Sequence, residues 1–185
     1  MLYTRKGDAG TTKDFKSEPG VRKSKSSCQT EALGALDELN SFLGLAKVKS
    51  AGVSWTVNEK PVNEIVLWCQ QCLFSVQAEV AGADKRVGQA KVTEMEAWID
   101  AMEKEMPPIK TFFVSGGTEL AALFDVSRTL ARKAERRVVA ANDSGELKTD
   151  SATLAFLNRL SSLLYALARL TNHKSGIAEM PPSYS

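Results

Sequence analysis

The run Glu119-Leu120-Ala121-Ala122-Leu123-Phe124-Asp125-Val126-Ser127-Arg128-Thr129-Leu130-Ala131-Arg132-Lys133-Ala134-Glu135-Arg136-Arg137-Val138 decides the fold class. Leu120, Leu123, Ser127, Leu130, Ala134 and Val138 recur at steps of three and four, the period of a helix that packs one stripe against a core. Ahead of the run, Ser115-Gly116-Gly117-Thr118-Glu119 supplies a flexible turn, a capping hydroxyl and an acid where the helix dipole favours one. The spacing predicts a long helix to about Asn142, closed by the turn Asn142-Asp143-Ser144-Gly145.

The same period extends outward on both sides. A last helix is predicted from about Asp150 to Lys174. On the N-terminal side, residues 92 to 106 form a shorter helix that must stop at Pro107-Pro108, because proline removes a donor and restricts the residue before it. Pro61 suits the first turn of another, whose Ile65, Cys69, Cys72, Val76 and Val80 keep one stripe until Gly82. Leu33, Leu36, Leu39, Leu43 and Ala46 mark a first helix from Cys28 to Ser50. Residues 1–27 hold Gly7, Gly10, Pro19 and Gly20 without a sustained period, and read as an ordered loop or a mobile arm. No convincing strand, internal repeat or second domain is predicted. The expected architecture is all-α: a five-helix bundle over 28–175, preceded by the 1–27 loop and followed by a 176–185 tail.

Composition agrees. Among 185 residues, 43% are hydrophobic and 25% charged, as in a globular protein able to bury a core. Twenty-four Lys and Arg against 22 Asp and Glu leave a net charge of +2, so any anion site must be local, and binding of nucleic acid or an anionic membrane is not expected. No apolar run approaches the roughly 20 residues of a bilayer span. Cys28, Cys69 and Cys72 are odd in number and follow no secretory signal, which suits reduced thiols in a cytoplasm.

Several constellations carry chemistry. Arg128, Arg132, Glu135 and Arg136 fall on one arc of the long helix, apart from its packed stripe. Such an arc is either a solvated face or an anion grip, in which guanidinium forks meet phosphate oxygens and Glu135 steadies one fork. Thr4-Arg5-Lys6-Gly7-Asp8-Ala9-Gly10-Thr11-Thr12 unites glycines, hydroxyls and cations, as a phosphate-cradling loop does, although it is neither GxxxxGK[ST] nor GxGxxG. Asp37 and Asn40, and the line Asn158, Ser162, Tyr165 and Arg169, read as polar flanks or interface seams. Phe112-Phe113-Val114 reads most simply as core, or as a cover for a flat ligand. Cys69-Gln70-Gln71-Cys72 lies inside a helical pattern, which suits buried structural thiols rather than redox chemistry. His173 is the only histidine, so carboxylate-histidine iron centres and histidine zinc clusters are excluded, and no protein metal ligands are assigned.

In this order the segments resemble the PduO-type ATP:cob(I)alamin adenosyltransferases over nearly the whole chain. The resemblance is carried by Tyr3 to Thr11, Glu31-Ala32-Leu33-Gly34, Asp37-Glu38-Leu39-Asn40-Ser41, Ser115-Gly116-Gly117, Arg128 through Val139 and Leu157-Asn158-Arg159-Leu160-Ser161. It implies transfer of the 5′-deoxyadenosyl group of ATP to the Co(I) of cob(I)alamin, giving adenosylcobalamin and triphosphate, by a homotrimer with sites between subunits. It further implies that Thr4, Arg5, Lys6, Gly7, Thr12 and Lys13 wrap the triphosphate with Lys25. Arg132, Lys133, Ala134, Glu135, Arg136 and Asn158 would complete the nucleotide site with Mg²⁺. Asp37 would pair with Arg128 across the subunit boundary, and Phe112 would press on the lower face of the corrin.

The absence of a catalytic triad fits, since Co(I) is itself the nucleophile and the protein need supply only position and field. Two departures from the family pattern stand out: Lys6 replaces a threonine in the loop, and Ser162-Leu163 replaces Asp-Tyr after Asn158-Arg159-Leu160-Ser161. A reductase or a cobalamin-dependent acceptor enzyme is a further conceivable partner. The competing expectation is a non-catalytic nucleotide or corrinoid sensor or carrier; a nucleic-acid-binding bundle ranks last.

Overall fold

The computed structural model describes residues 2–184. Five helices carry the chain: α1 Cys28–Ser50, α2 Val62–Val80, α3 Gln89–Glu105, α4 Glu119–Asp143 and α5 Ser151–Lys174. Side-chain caps set three of the starts. Ser27 accepts from the Thr30 amide, Thr118 from Ala121 at 3.2 Å and Asp150 from Ala152 at 2.9 Å, each satisfying an amide that the helix cannot.

The long run quoted first becomes the centre of the bundle. Helix α4 packs against α1 on one side and α5 on the other; α2 then covers α1, and α3 covers α5. Ala131, Ala134 and Ala141 of α4 are fully buried, small enough for the flanking helices to approach closely. Around them Leu36, Leu39 and Leu43 of α1, Ile65 and Leu73 of α2, Met95 and Met102 of α3, Phe124 of α4 and Phe156, Leu160 and Leu163 of α5 are all fully enclosed. Burying one such side chain is worth about 1.5–3 kcal/mol, so this layer supplies the main drive to fold.

Two features differ from the sequence reading. Among the described residues four two-residue strands are present: β1 Thr11–Thr12 pairs antiparallel with β2 Lys23–Ser24, and β3 Thr56–Val57 with β4 Lys60–Pro61. A ladder of two residues is too short to leave an alternating pattern. Phe112, read most simply as core, is 79% exposed, because it sits in the α3–α4 connector beyond the bundle's end.

The N-terminal segment is an ordered hairpin. Arg22 donates to the Thr11 carbonyl and hydroxyl at 2.8 Å each, Lys23 and Asp14 pair at 2.6 Å, and the Phe15 amide donates to the Ala81 carbonyl at 3.0 Å. The last bond ties the hairpin to the end of α2. Burial pushes the Asp14 carboxyl up, but hydrogen bonds from Lys23 and Ser17 together with the Lys23 charge outweigh it and hold the pKa at about 2.

Candidate active site

Two clefts collect several of the residues singled out in the sequence. The first, of about 470 Å³, lies where the hairpin meets α1 and α4, and Thr12, Lys25, Glu31, Glu38, Lys133 and Arg137 are among its lining. Lys25 follows β2, and its amide donates to the Gly10 carbonyl at 2.9 Å. A Cβ on Gly7 would lie 3.1 Å from the Lys25 ammonium nitrogen, so the lysine head rests directly against the loop backbone. Thr4, Arg5 and Lys6 are exposed just ahead of it, with Arg5 at φ 59°, the left-handed region that side chains rarely adopt. Lys133 pairs with Glu38 at 2.5 Å, and Arg137 approaches Glu31 at 3.7 Å. Lys13 and Asp37 line an adjoining cleft of about 600 Å³ between the hairpin and α1.

The second main cleft, of about 610 Å³, is bounded by the α3–α4 connector, α4 and α5; its lining includes Phe112, Arg128, Arg132, Ser161, Ser162 and Tyr165. Arg128 is held from two sides: Asp125 lies 3.4 Å from its Nε, and its guanidinium sits 5.7 Å from the centroid of the Tyr165 ring. Arg132 and Arg136 are exposed and have no ion-pair partner among the described residues, so their charge is uncompensated by the chain. Glu135 instead accepts a 2.9 Å hydrogen bond from Asn158 of α5, whose carbonyl oxygen accepts from Arg159.

Of the α4 arc, Arg128 and Arg132 face the aromatic cleft, whereas Lys133 and Arg137, next to the arc in sequence, turn to the hairpin side. Ala134 departs from the role implied for it, since its methyl is fully buried in the core and has no surface to offer a ligand. Asp37 and Arg128 lie on different clefts of the chain, and the acid that Arg128 does meet is Asp125.

Three residues of this region escaped the sequence reading. The Asn172 amide group takes the Thr118 amide at 3.0 Å and gives a hydrogen bond to the Gly116 carbonyl at 2.8 Å, clamping the Ser115-Gly116-Gly117 turn. Gly117, at φ 100°, is obligatory there, since a Cβ would fall 2.4 Å from the Asn172 oxygen. Asp125 accepts from the Gly116 amide at 3.3 Å and so connects that turn to Arg128. Glu179 anchors the C-terminal tail on Arg169 through two 2.7 Å bonds. Only Asp125 carried a sequence signal: an acid three residues before an arginine on one helix face.

Cys69 and Cys72 are buried in α2. Burial pushes both thiols up, that of Cys72 to about 11, so neither is a ready nucleophile. Among the described residues no three His, Cys, Asp or Glu side chains group as a metal site, and no helix is long and apolar enough to cross a membrane.

A hairpin cleft lined by Lys25, Lys133 and Arg137 and a different cleft lined by Phe112, Phe113 and Tyr165 lie on one bundle, which makes this a helical protein with one cationic and one aromatic surface. The family model for cobalamin adenosyltransferase matches residues 2–171, and the chain belongs to that family. It is 37% identical over 183 residues to the corrinoid adenosyltransferase of Bacillus subtilis, covering 97% of this chain and 90% of that one. It is 36% identical over 172 residues to the corrinoid adenosyltransferase PduO of Citrobacter freundii, whose length it spans by half. A variant PduO-type ATP:corrinoid adenosyltransferase from Lactobacillus reuteri, solved complexed with cobalamin and ATP, superposes with a TM-score of 0.85 at 28% identity, over 100% of this chain and 98% of that one.

Proposed function

We propose that this chain is an ATP:corrinoid adenosyltransferase: it moves the 5′-deoxyadenosyl group of ATP onto the Co(I) of cob(I)alamin, yielding adenosylcobalamin and triphosphate. The observation that carries the reading is the pair of unpartnered guanidinium groups, Arg132 and Arg136, beside a cleft that an exposed Phe112 overlooks. The cobalt lone pair forms the Co–C5′ bond while the C5′–O5′ bond breaks, and the electron pair leaves with triphosphate. Negative charge grows on the departing oxygens, so cations fixed beforehand lower the barrier most.

Lys25, the loop residues Thr4 to Gly7 and Thr12 with Lys13 take the phosphates on the hairpin side; Arg132, Lys133 and Arg136 take them from α4. Mg²⁺ would enter with ATP and be held chiefly by phosphate oxygens, and Thr12, Thr30, Glu31 and Glu38 are the side chains of the hairpin cleft that could add an oxygen donor. Phe112, free of the core, covers the lower corrin face and keeps water from cobalt.

The placement of these residues on two clefts supports a site shared between subunits, which the family resemblance makes a homotrimer. If the hairpin and α1 of one subunit face α4 and α5 of the next, Asp37 meets Arg128 and the phosphate-binding side chains of both surfaces converge on one ATP. The three thiols and the Co(I) substrate suit a reducing cytoplasm.

The test is the absorbance of chemically reduced cob(I)alamin with protein and MgATP under anaerobic conditions. ATP-dependent formation of adenosylcobalamin is expected. An unchanged Co(I) spectrum with folded, ATP-binding protein would instead favour a sensor or carrier.

A further inference from the structure

Of the polar line Asn158, Ser162, Tyr165 and Arg169 on α5, only Arg169 is buried, with 6% of its side chain exposed. It does not line the cleft beside Phe112. Its bonds go elsewhere. Nε and Nη2 each reach a Glu179 carboxylate oxygen at 2.7 Å, and Nη2 also donates to the Pro107 carbonyl at 3.1 Å. The flat guanidinium lies 5.4 Å from the centroid of the Phe113 ring. One bond beyond the pair, the Val114 amide donates to the Met180 carbonyl at 2.8 Å.

A buried guanidinium is costly unless its donors are satisfied, and a helix-to-tail staple alone would need only the carboxylate. Here the same group also touches the base of the α3–α4 connector and the residue next to Phe112. The connector is therefore fixed at Pro107, Phe113 and Val114, while Ile109 and Phe112 between those points stand exposed. Phe112 takes its position from its neighbours, and Arg169 with the tail fixes those neighbours.

We infer that Arg169 is a positioning residue for Phe112, acting through Phe113 directly and through Glu179, which holds tail residues 177–180 against Val114. The inference rests on the reading of Phe112 as the corrinoid-facing residue. It predicts that the tail matters to the corrinoid half of the reaction and not to the nucleotide half.

The experiment compares the full chain with Glu179→Gln, Arg169→Lys and a chain ending at residue 176, which removes the tail and keeps α5. KM is measured separately for cob(I)alamin and ATP, together with the absorbance of bound cob(II)alamin and hydrogen exchange at the Val114 amide without ligand. In the truncated chain the expected result is a corrinoid KM raised about tenfold or more, an ATP KM within about twofold, and Val114 exchange faster by about tenfold. The cob(II)alamin spectrum should move toward that of Phe112→Ala, and adding Phe112→Ala to the truncation should raise the corrinoid KM little further. Glu179→Gln and Arg169→Lys should shift in the same direction by less. A folded truncated chain with wild-type corrinoid KM and spectrum, or one in which both KM values rise alike, would overturn the inference. Wild-type protein that forms no adenosylcobalamin would sink the reaction reading instead, while Val114 exchange, which needs neither substrate, would still decide the tether.

Discussion

The Asn158 amide donates to a Glu135 carboxylate oxygen at 2.9 Å, joining α5 to α4 between the two unpaired guanidinium groups of Arg132 and Arg136. The bond keeps Glu135 occupied. Without it the carboxylate is free to pair with Arg136 beside it or Arg132 one turn earlier, and a phosphate must then displace it. Asn158→Ala should raise the ATP KM about tenfold, near 1.4 kcal/mol of binding, and leave the corrinoid KM almost unchanged; steady-state kinetics with each substrate varied in turn decides it.

Arg132 is exposed and makes no ion pair among the described residues, so its removal costs the fold little, within about 0.5 kcal/mol. In the proposed reaction its task is charge stabilisation as triphosphate leaves. Arg132→Ala should lower kcat by about 100-fold or more with an unchanged melting temperature, the loss expected when a preorganised charge on the leaving group is removed. A kcat within about threefold of wild type would take Arg132 out of the site.

Asp37 is exposed on α1 and lies on the opposite cleft from Arg128, which Asp125 already orients. An acid with no ion-pair partner among the described residues and an arginine held ready suit a contact between subunits. Asp37→Arg should weaken assembly and abolish activity, and Arg128→Asp added to it should restore part of both, as read by sedimentation velocity. Trimers unaffected by the single reversal would remove this pair from the interface.

How legible the molecule was depends on the kind of force involved. Helices α1, α2, α4 and α5 were readable because burial repeats along a helix: Leu36, Leu39 and Leu43 lie on one face in the sequence and on one face in the core. The start of α3 was set three residues late, since Gly88 precedes it with no capping side chain to mark the spot. The arginine arc was visible as spacing, but the turn of its neighbours Lys133 and Arg137 to another cleft was not, because adjacent residues such as Arg132 and Lys133 diverge by about 100° around the axis. Asn172 and Glu179 were illegible for another reason. Each acts on a segment far along the chain, and no local pattern records a partner that only the fold brings near.

The Asp14–Lys23 pair predicts a pH dependence for the hairpin. Asp14 titrates at about 2 in the folded chain, below its ordinary 3.8, so the unfolded form binds the proton more readily. The stability it contributes is present above about 3.8 and is lost as pH falls toward 2. Thermal melts of wild type and Asp14→Asn should differ near neutral pH and converge through that window. A constant difference at every pH would show that the carboxylate charge is not what matters.

Glu79 offers the strongest test of the fold. Only 4% exposed, it accepts from the Asp150 amide at 2.7 Å and the Thr153 hydroxyl at 2.6 Å, with Arg86 at 3.6 Å, so one carboxylate of α2 secures the start of α5. Glu79→Ala leaves a buried hydroxyl and a backbone amide without partners, each worth about 1–3 kcal/mol. A loss of about 2–4 kcal/mol is expected, a fall in Tm of roughly 5–15 °C for a chain of this size. Glu79→Gln keeps one acceptor and should lose about half as much. Because α5 carries Asn158, the alanine variant should also raise the ATP KM even well below its Tm, whereas Thr153→Val, which deletes only the hydroxyl, should lower Tm modestly and leave that KM in place.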